Sequence, residues 1–383
     1  MALLLLFPAL MLAFDGKLPA LSLGAFAAKM PAFSWDTLPV AYHGANYGNF
    51  SAASLALLAR FPVVTLEKCQ GWHSGELRPA PCSGFNCTSC CEEDVYVAVG
   101  AQIKALNAST LVVAYFHSNK GMTWFDAGQH LGQRPGACYN GDDLIANASA
   151  PCVQVPGSLE FYYDYRKPAG SAAYTDGCRR MTATGAVDGC FVDGCLKVEA
   201  PLGTGAPRDA FVAAKAAALA ALQQQVPGPL ICGSGGGLAP GLAAVQLQSF
   251  STKHAGWWGD MMAMNRSASQ GYMFEAHGHE LCYNANLSSP AFQNEYAGFL
   301  MFAQRHTYHI CGSWCGSDPV WPKAFDMPLG APTGNATSDA RGEVWHRGFA
   351  SGTEIWFNRT SATGRVSWGP SARLFIAQHA IES

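Results

Sequence analysis

Three acidic residues stand where short apolar runs end or turn polar. Glu67 follows Val63–Leu66, Asp193 follows Cys190-Phe191-Val192, and Glu275 lies inside Met273–His277. Hydrolysis of a glycosidic bond needs such a set, because one carboxyl must protonate the leaving oxygen while another acts as base or nucleophile. Burial or a neighbouring carboxylate keeps one of them protonated at neutral pH, and the other stays ionised. Asp193 is the candidate nucleophile or base, and Glu275 the candidate general acid. Glu67, His43, Asn46, Tyr115, His117, Trp124 and His277 are the candidate substrate-binding residues, polar and aromatic groups suited to orienting a sugar. Aspartates also cap helices and close turns, so these residues matter only if the fold gathers them.

Strand-like and helix-like stretches alternate from Val40 onward. "LPVAYHGANYG" (Leu38–Gly48), "PVVTLEKCQGW" (Pro62–Trp72), "STLVVAYFHSNKG" (Ser109–Gly121), Asp188–Asp193, "PLICGSGGG" and "QGYMFEAHGHE" read as strands. "SAASLALLARF", "VYVAVGAQIKALN", a stretch around Tyr174–Thr184, "RDAFVAAKAAALAALQQQ" and "AFQNEYAGFLMFAQRH" read as helices, with His306 and His309 at or near the end of the last. Strands too apolar to have a wet face point to an α/β fold with a parallel sheet covered by helices. The number of units favours a closed (β/α)8 TIM barrel over an open sheet, and no G-x-G-x-x-G follows the first strand. In such a barrel the site lies at the C-terminal strand ends. Asp193 belongs there, while Asp188, at the start of the same strand, belongs at the base. The expected organisation is a signal peptide over 1–27, a catalytic barrel with long disulfide-bonded loops over 28–350, and a C-terminal β hairpin over 351–383 packed on it.

Other constellations are weaker. "EAHGHE" sets Glu275, His277 and His279 on one side of a strand, a face that could hold a metal. It lacks the helical H-E-x-x-H spacing, so a metal-dependent hydrolase is the third reading and no cofactor is expected. Cys232-Gly233-Ser234-Gly235-Gly236 is not a G-x-S-x-G elbow, and Cys69 is a poor nucleophile in a disulfide-rich chain. "GWHSG" and "HAGWWGD" read as aromatic loops on the face of the site.

Charged residues make up only 13% of the chain and the net charge is −3. Neither nucleic acid nor an anionic membrane would be drawn to it; the expected partner is carbohydrate, with the oligomeric state open. Eight of the thirteen asparagines lie in N-x-[ST] sequons: Asn49, Asn86, Asn107, Asn147, Asn265, Asn286, Asn335 and Asn358. That excess points to a secreted glycoprotein with all eight exposed. "MALLLLFPALMLAF" is too short to span a bilayer but suits a signal peptide, though it lacks a basic n-region. Fourteen cysteines read as disulfides formed outside the cell or in the secretory lumen. Cys190 or Cys195 is expected to bridge to a neighbouring βα loop, and Cys82, Cys87, Cys90 and Cys91 to knot a loop.

"FPVVTLEKCQGW", "VVAYFHSNKG", "TGAVDGCFVDGC" and "MPLGAPTGNAT…WHRGFASGTEIWFN" resemble the secreted, glycoside-hydrolase-like TIM barrels of marine eukaryotes. Those are loosely similar to polygalactosaminidase-type glycoside hydrolases. The resemblance covers most of the mature chain and implies that the strand ending D-G-x-F-x-D supplies a catalytic aspartate, here Asp193. It also implies a glutamate shortly after the glycine-bearing strand, where this chain reads "VQLQSF" and offers only Gln246 and Gln248. A glutamine cannot act as general acid. Two outcomes follow: Glu275 takes that role, or the barrel binds carbohydrate without cleaving it.

Overall fold

A computed structural model describes residues 29–70, 92–122, 124–126, 131, 137–140, 152–158, 160–202, 205–233, 241–248, 250, 256–278, 289–316 and 318–373. The expected signal peptide, the Cys82–Cys91 cluster, "GWHSG", His279 and three of the sequons (Asn86, Asn147, Asn286) lie outside the described residues.

Eight parallel strands close into a barrel: β1 (Val40–Gly44), β2 (Val63–Leu66), β3 (Leu111–His117), β4 (Gly189–Asp193), β5 (Leu230–Gly233), β6 (Ala244–Leu247), β7 (Met273–His277) and β8 (Thr307–Cys311). Each strand bonds to its sequence neighbour, and β8 returns to β1 through pairs such as Val40 with His309. Around them lie α1 (Ala52–Leu58), α2 (Glu92–Leu106), α3 (Pro168–Ala183), α4 (Ala206–Gln225), α5 (Trp257–Ser269) and α6 (Pro290–Phe302). Their starts are chemically marked. Ser51 and Ser289 accept from the Ser54 and Phe292 amides at the heads of α1 and α6, and α2 opens on Glu92, Glu93 and Asp94.

Strand direction alternates between barrel interior and helix layer. On β4, Cys190 faces out and is bonded to Cys178 of α3, while Phe191 faces in against the His43 and Tyr115 rings. Gly233 on β5 makes room for that ring, since a Cβ there would lie 2.1 Å from it. At the start of β4, Asp188 accepts from the Val112 amide and pairs with Lys104, 2.7 Å away in each case.

Several sequence expectations need correction. His306 and His309 are not on a helix: α6 stops at Phe302, His306 takes a left-handed turn, and His309 lies on β8 facing Glu295 of α6 at 3.0 Å. Neither β6 nor β8 reads as an apolar run, because Gln246 and His309 interrupt them, and both polar groups find partners only in the folded barrel. Trp257 and Trp258 open α5 instead of lining the mouth. They pack on Phe357 and on Phe302 and Trp345, ring centroids 4.9 to 5.5 Å apart.

Those aromatic partners belong to an antiparallel sheet of β9 (Thr337–Ser338), β10 (Val344–Gly348), β11 (Glu354–Asn358) and β12 (Thr363–Ser367). The hairpin around Ser361–Gly364 is its second half, and the sheet starts upstream of residue 351 because β10 pairs with β11 along its length. It packs on α6, where Gln293 and Asn294 accept from the Val366 and Gly364 amides.

Four disulfides join described residues: Cys69–Cys315, Cys138–Cys152, Cys178–Cys190 and Cys195–Cys232. Their α-carbons lie 5.5 to 6.2 Å apart, within bonding reach. Of the described sequons, Asn49 and Asn335 are exposed. Asn107, Asn265 and Asn358 are half-buried because their side chains bond neighbouring groups, Asn107 to Ala59 O at 2.8 Å. No helix among the described residues is long and apolar enough to cross a membrane.

Arg347 of β10 clamps the appendage to the barrel layer. It is buried, and its Nη1 donates to the carbonyls of Leu300, Met301 and Ala303, which end α6. Arg347→Met is expected to lower unfolding free energy by about 3 kcal/mol, since three carbonyls would lose a charged donor. A denaturant midpoint equal to wild type would show that the clamp does not hold the two parts together.

Candidate active site

The C-terminal ends of the strands aim their inward residues at one mouth. These are His43 from β1, Glu67 just past β2, Tyr115 and His117 from β3, Asp193 from β4, and Glu275 and His277 from β7. Asp193, Gly233, Gln246 and Glu275 stand opposite one another on successive strands, one rung of the barrel. Seven of the nine candidate residues are thus brought together. The other two are at the rim. Asn46 donates to Asp318 at 2.7 Å, and Trp124 packs on Ala45 beside the Cys69–Cys315 bridge.

Half of the site is a closed polar chain. Gln246 Nε2 donates to Glu275 at 2.8 Å and to His43 Nδ1 at 2.7 Å. His43 therefore carries its proton on Nε2 and donates it to Glu67, 2.8 Å away. Burial favours a neutral Glu67, but the Lys68 charge and the bonds from His43 and Lys68 outweigh it and hold the carboxyl below its ordinary value. Among the described residues, Glu275 has no cationic partner. It is 0% exposed, and burial pushes it up to about 8 against the pull of the Gln246 bond. Above this chain the His277 and His43 rings stack 5.4 Å apart, and Trp314 stands edge-on to both. Trp314 adjoins Cys315, whose bridge ties the β8 loop to the β2 loop.

The other half is open. Asp193 has 26% of its side chain exposed. The Tyr115 hydroxyl, its pKa raised by burial and then by the Asp193 charge, stays protonated and donates to Asp193 Oδ2 at 2.7 Å. Burial first, then the charges of Lys120, Lys215, Lys68 and Lys197, push the His117 imidazole well below its usual range. The Asn119 amide donates to its Nδ1 at 3.1 Å, so the proton of the neutral ring is on Nε2. That Nε2 faces Asp193 Oδ2 at 3.9 Å and Glu199 Oε1 at 3.8 Å.

Lys215 of α4 supports this half from behind. Only 2% exposed, its Nζ donates to Asn119 Oδ1, Gly194 O and Lys197 O at 2.8 to 3.0 Å. Burial lowers its pKa to about 7, opposed by the Glu199 and Asp193 charges. Sequence reading passed over Lys215, Glu199, Asn119 and Trp314. Lys215 had a signal: it interrupts the buried stripe Phe211, Leu219, Leu222 of α4. The other three had no periodic signature. Among the described residues no three His, Cys, Asp or Glu side chains converge as a metal site requires. A cavity of about 410 Å³ between α5, α6 and the appendage is lined by Asn265, Phe302, Gln304 and Trp345 among others, without any acid.

A family model described as hypothetical glycosyl hydrolase family 15 matches residues 156–353, just over half of the chain. Comparison with curated proteins finds no match. Among solved structures, the GH36 alpha-galactosidase AgaA from Geobacillus stearothermophilus superposes with a TM-score of 0.50 at 11% identity, over 86% of this chain and 48% of that one. The alpha-galactosidase from Lactobacillus brevis gives 0.49 at 13% identity, over 88% and 47%. The chain spans about half the length of these enzymes, and at such identity the likeness to AgaA is one of fold.

Glu275 makes the barrel's stability depend on pH. An unfolded glutamate ionises near pH ~4.3, whereas the folded one keeps its proton up to about 8. Between those values the folded chain binds the extra proton, so stability falls as pH rises across the window. Glu275→Gln removes this loss. Urea unfolding should show the variant gaining on wild type between about pH 5 and about pH 8; an equal difference at both would mean that Glu275 ionises inside the barrel.

Proposed function

The chain belongs to the hypothetical glycosyl hydrolase family 15, and on that footing we propose that it hydrolyses glycosidic bonds at the C-terminal mouth of its barrel, as a secreted glycoprotein. The observation that carries this reading is Asp193: a carboxylate at the end of β4 with 26% of its side chain exposed, its Oδ2 held by the Tyr115 hydroxyl at 2.7 Å. Tyr115 fixes the carboxylate's orientation without taking its charge, which suits a nucleophile or a base. His277 is fully buried between the His43 and Trp314 rings, whereas the half-buried Trp314 and Trp124 offer edges and faces on which a sugar ring can rest. Glu275 holds the proton that a general acid needs, but it lies enclosed beneath His277, His43 and Trp314. We therefore read Glu275 as the inner end of the polar chain, and His43 and Glu67 as its continuation, not as groups that touch substrate. The disulfides and the sequons support passage through the secretory pathway.

A binding-only barrel is the competing reading, and one observation favours it. The rung position on β6 holds Gln246, which cannot donate a proton as a general acid. Reducing-sugar release from a glycan panel that includes galactosamine polymers separates the two, and activity that survives a chelator argues against a metal-dependent hydrolase. For an active chain, Asp193→Asn should lower kcat/KM by about 10²-fold to 10⁴-fold or more with an unchanged circular dichroism spectrum. Wild-type turnover in that variant would remove Asp193 from the chemistry.

A further inference from the structure

We propose that Glu199, on the loop between β4 and α4, is the second catalytic carboxyl and acts as the general acid opposite Asp193. This rests on the hydrolase reading above. Three observations lead to it. Among the described residues, Glu199 is the acid that faces the open half of the site alongside Asp193, with 36% of its side chain exposed, whereas Glu275 has none. His117 Nε2 lies 3.9 Å from Asp193 Oδ2 and 3.8 Å from Glu199 Oε1. Those are too long for hydrogen bonds and leave room for a substrate or water oxygen to accept from the ring between the two acids. The two carboxylate oxygens can be no farther apart than the sum of those distances, which falls short of the ~9.5 Å limit for inverting pairs.

The loop that carries Glu199 is braced as a catalytic loop must be. Cys195 is bonded to Cys232 at the end of β5, and Lys215 holds the carbonyls of Gly194 and Lys197. Asn119 Nδ2 donates to Gly194 O at 3.1 Å. Gly194 itself has a φ of +68°, and a Cβ there would lie 2.3 Å from that Nδ2, so the chain leaves Asp193 by a turn open only to glycine. Glu199 is thereby kept within a fixed reach of Asp193.

In the reaction, the Glu199 carboxyl gives its proton to the glycosidic oxygen as the C1–O bond breaks, and the bonding pair stays on the departing hydroxyl. Asp193 either bonds to C1 itself or takes a proton from the water that does. In the first case, the Glu199 carboxylate then takes a proton from the water that releases the sugar from Asp193, restoring both groups.

The test exploits the leaving group. A general acid matters for an alkoxide and little for a dinitrophenolate, which departs unprotonated. Glu199→Gln should lose about 10²-fold to 10⁴-fold in kcat/KM on a glycan but under about tenfold on the matching dinitrophenyl glycoside, with the alkaline limb of its pH profile gone. Asp193→Asn should lose heavily on both. Equal losses on the two substrates, or wild-type rates on both, overturn the assignment. If wild type cleaves nothing on the panel, the hydrolase reading falls first, and titration with gluco-, galacto- and hexosamine-configured iminosugars judges the pair. Weaker binding in both variants keeps Asp193 and Glu199 as a cation-binding pair but ends the acid role. No binding, or no change in Glu199→Gln, removes the pair as well.

Discussion

A lysine ammonium cannot remain in a dry interior without acceptors around it. Lys215 meets that constraint with the backbone that follows Asp193, and much of the mouth depends on the result. Its three acceptors are Gly194 O, Lys197 O and the side chain of Asn119. The turn after β4 and the residues after β3 are therefore held to α4 through one charge. Asp193 O adds to the brace by accepting from both the amide and the hydroxyl of Ser118. The same cation lies behind Asp193 and Glu199, offsetting part of the repulsion between two carboxylates on one side of the mouth.

Deeper in the barrel the same rule takes an uncharged form. Glu67 is paired with Lys68 and His43, whereas among the described residues Glu275 meets only the amide of Gln246. The two residues are direct neighbours on adjacent strands. A glutamate at 246 would set a second acid against a buried one that is already driven to keep its proton. The amide instead serves Glu275 and His43 from one nitrogen. Trp314 and the two stacked imidazoles then keep water out from above. The chain is built to stay closed, and the open carboxylates are on the other side of Phe191, whose ring touches His43 on one side and Tyr115 on the other.

The appendage and the disulfides serve positioning at longer range. Arg347 and the aromatic contacts of Trp257 and Trp258 seat the antiparallel sheet on α5 and α6, far along the chain from the first strands. The Cys69–Cys315 bridge spans 246 positions and joins the loop after β2 to the one after β8, across the point where the barrel closes. Its neighbour Trp314 is thereby fixed over the imidazoles.

Local patterning was enough to determine a parallel barrel and the direction of most candidate side chains. Apolar runs such as Val63–Leu66 and Leu111–His117 are buried on both faces, and a residue that ends such a run must point in or out by the strand's period of two. Asp193 was legible for that reason. What the pattern could not carry was the identity of partners. β6 and β8 were hidden because Gln246 and His309 look like interruptions until Glu275, His43 and Glu295 are beside them. Burial of Glu275 and exposure of Glu199 depend likewise on which loops close over the mouth. His43 and Gln246, in hydrogen-bond contact, are 203 positions apart. The sequence determined which residues leave each strand toward the interior; closure of the barrel alone decided which of them meet, because hydrogen bonds and desolvation act over a few ångströms in space and not along the chain.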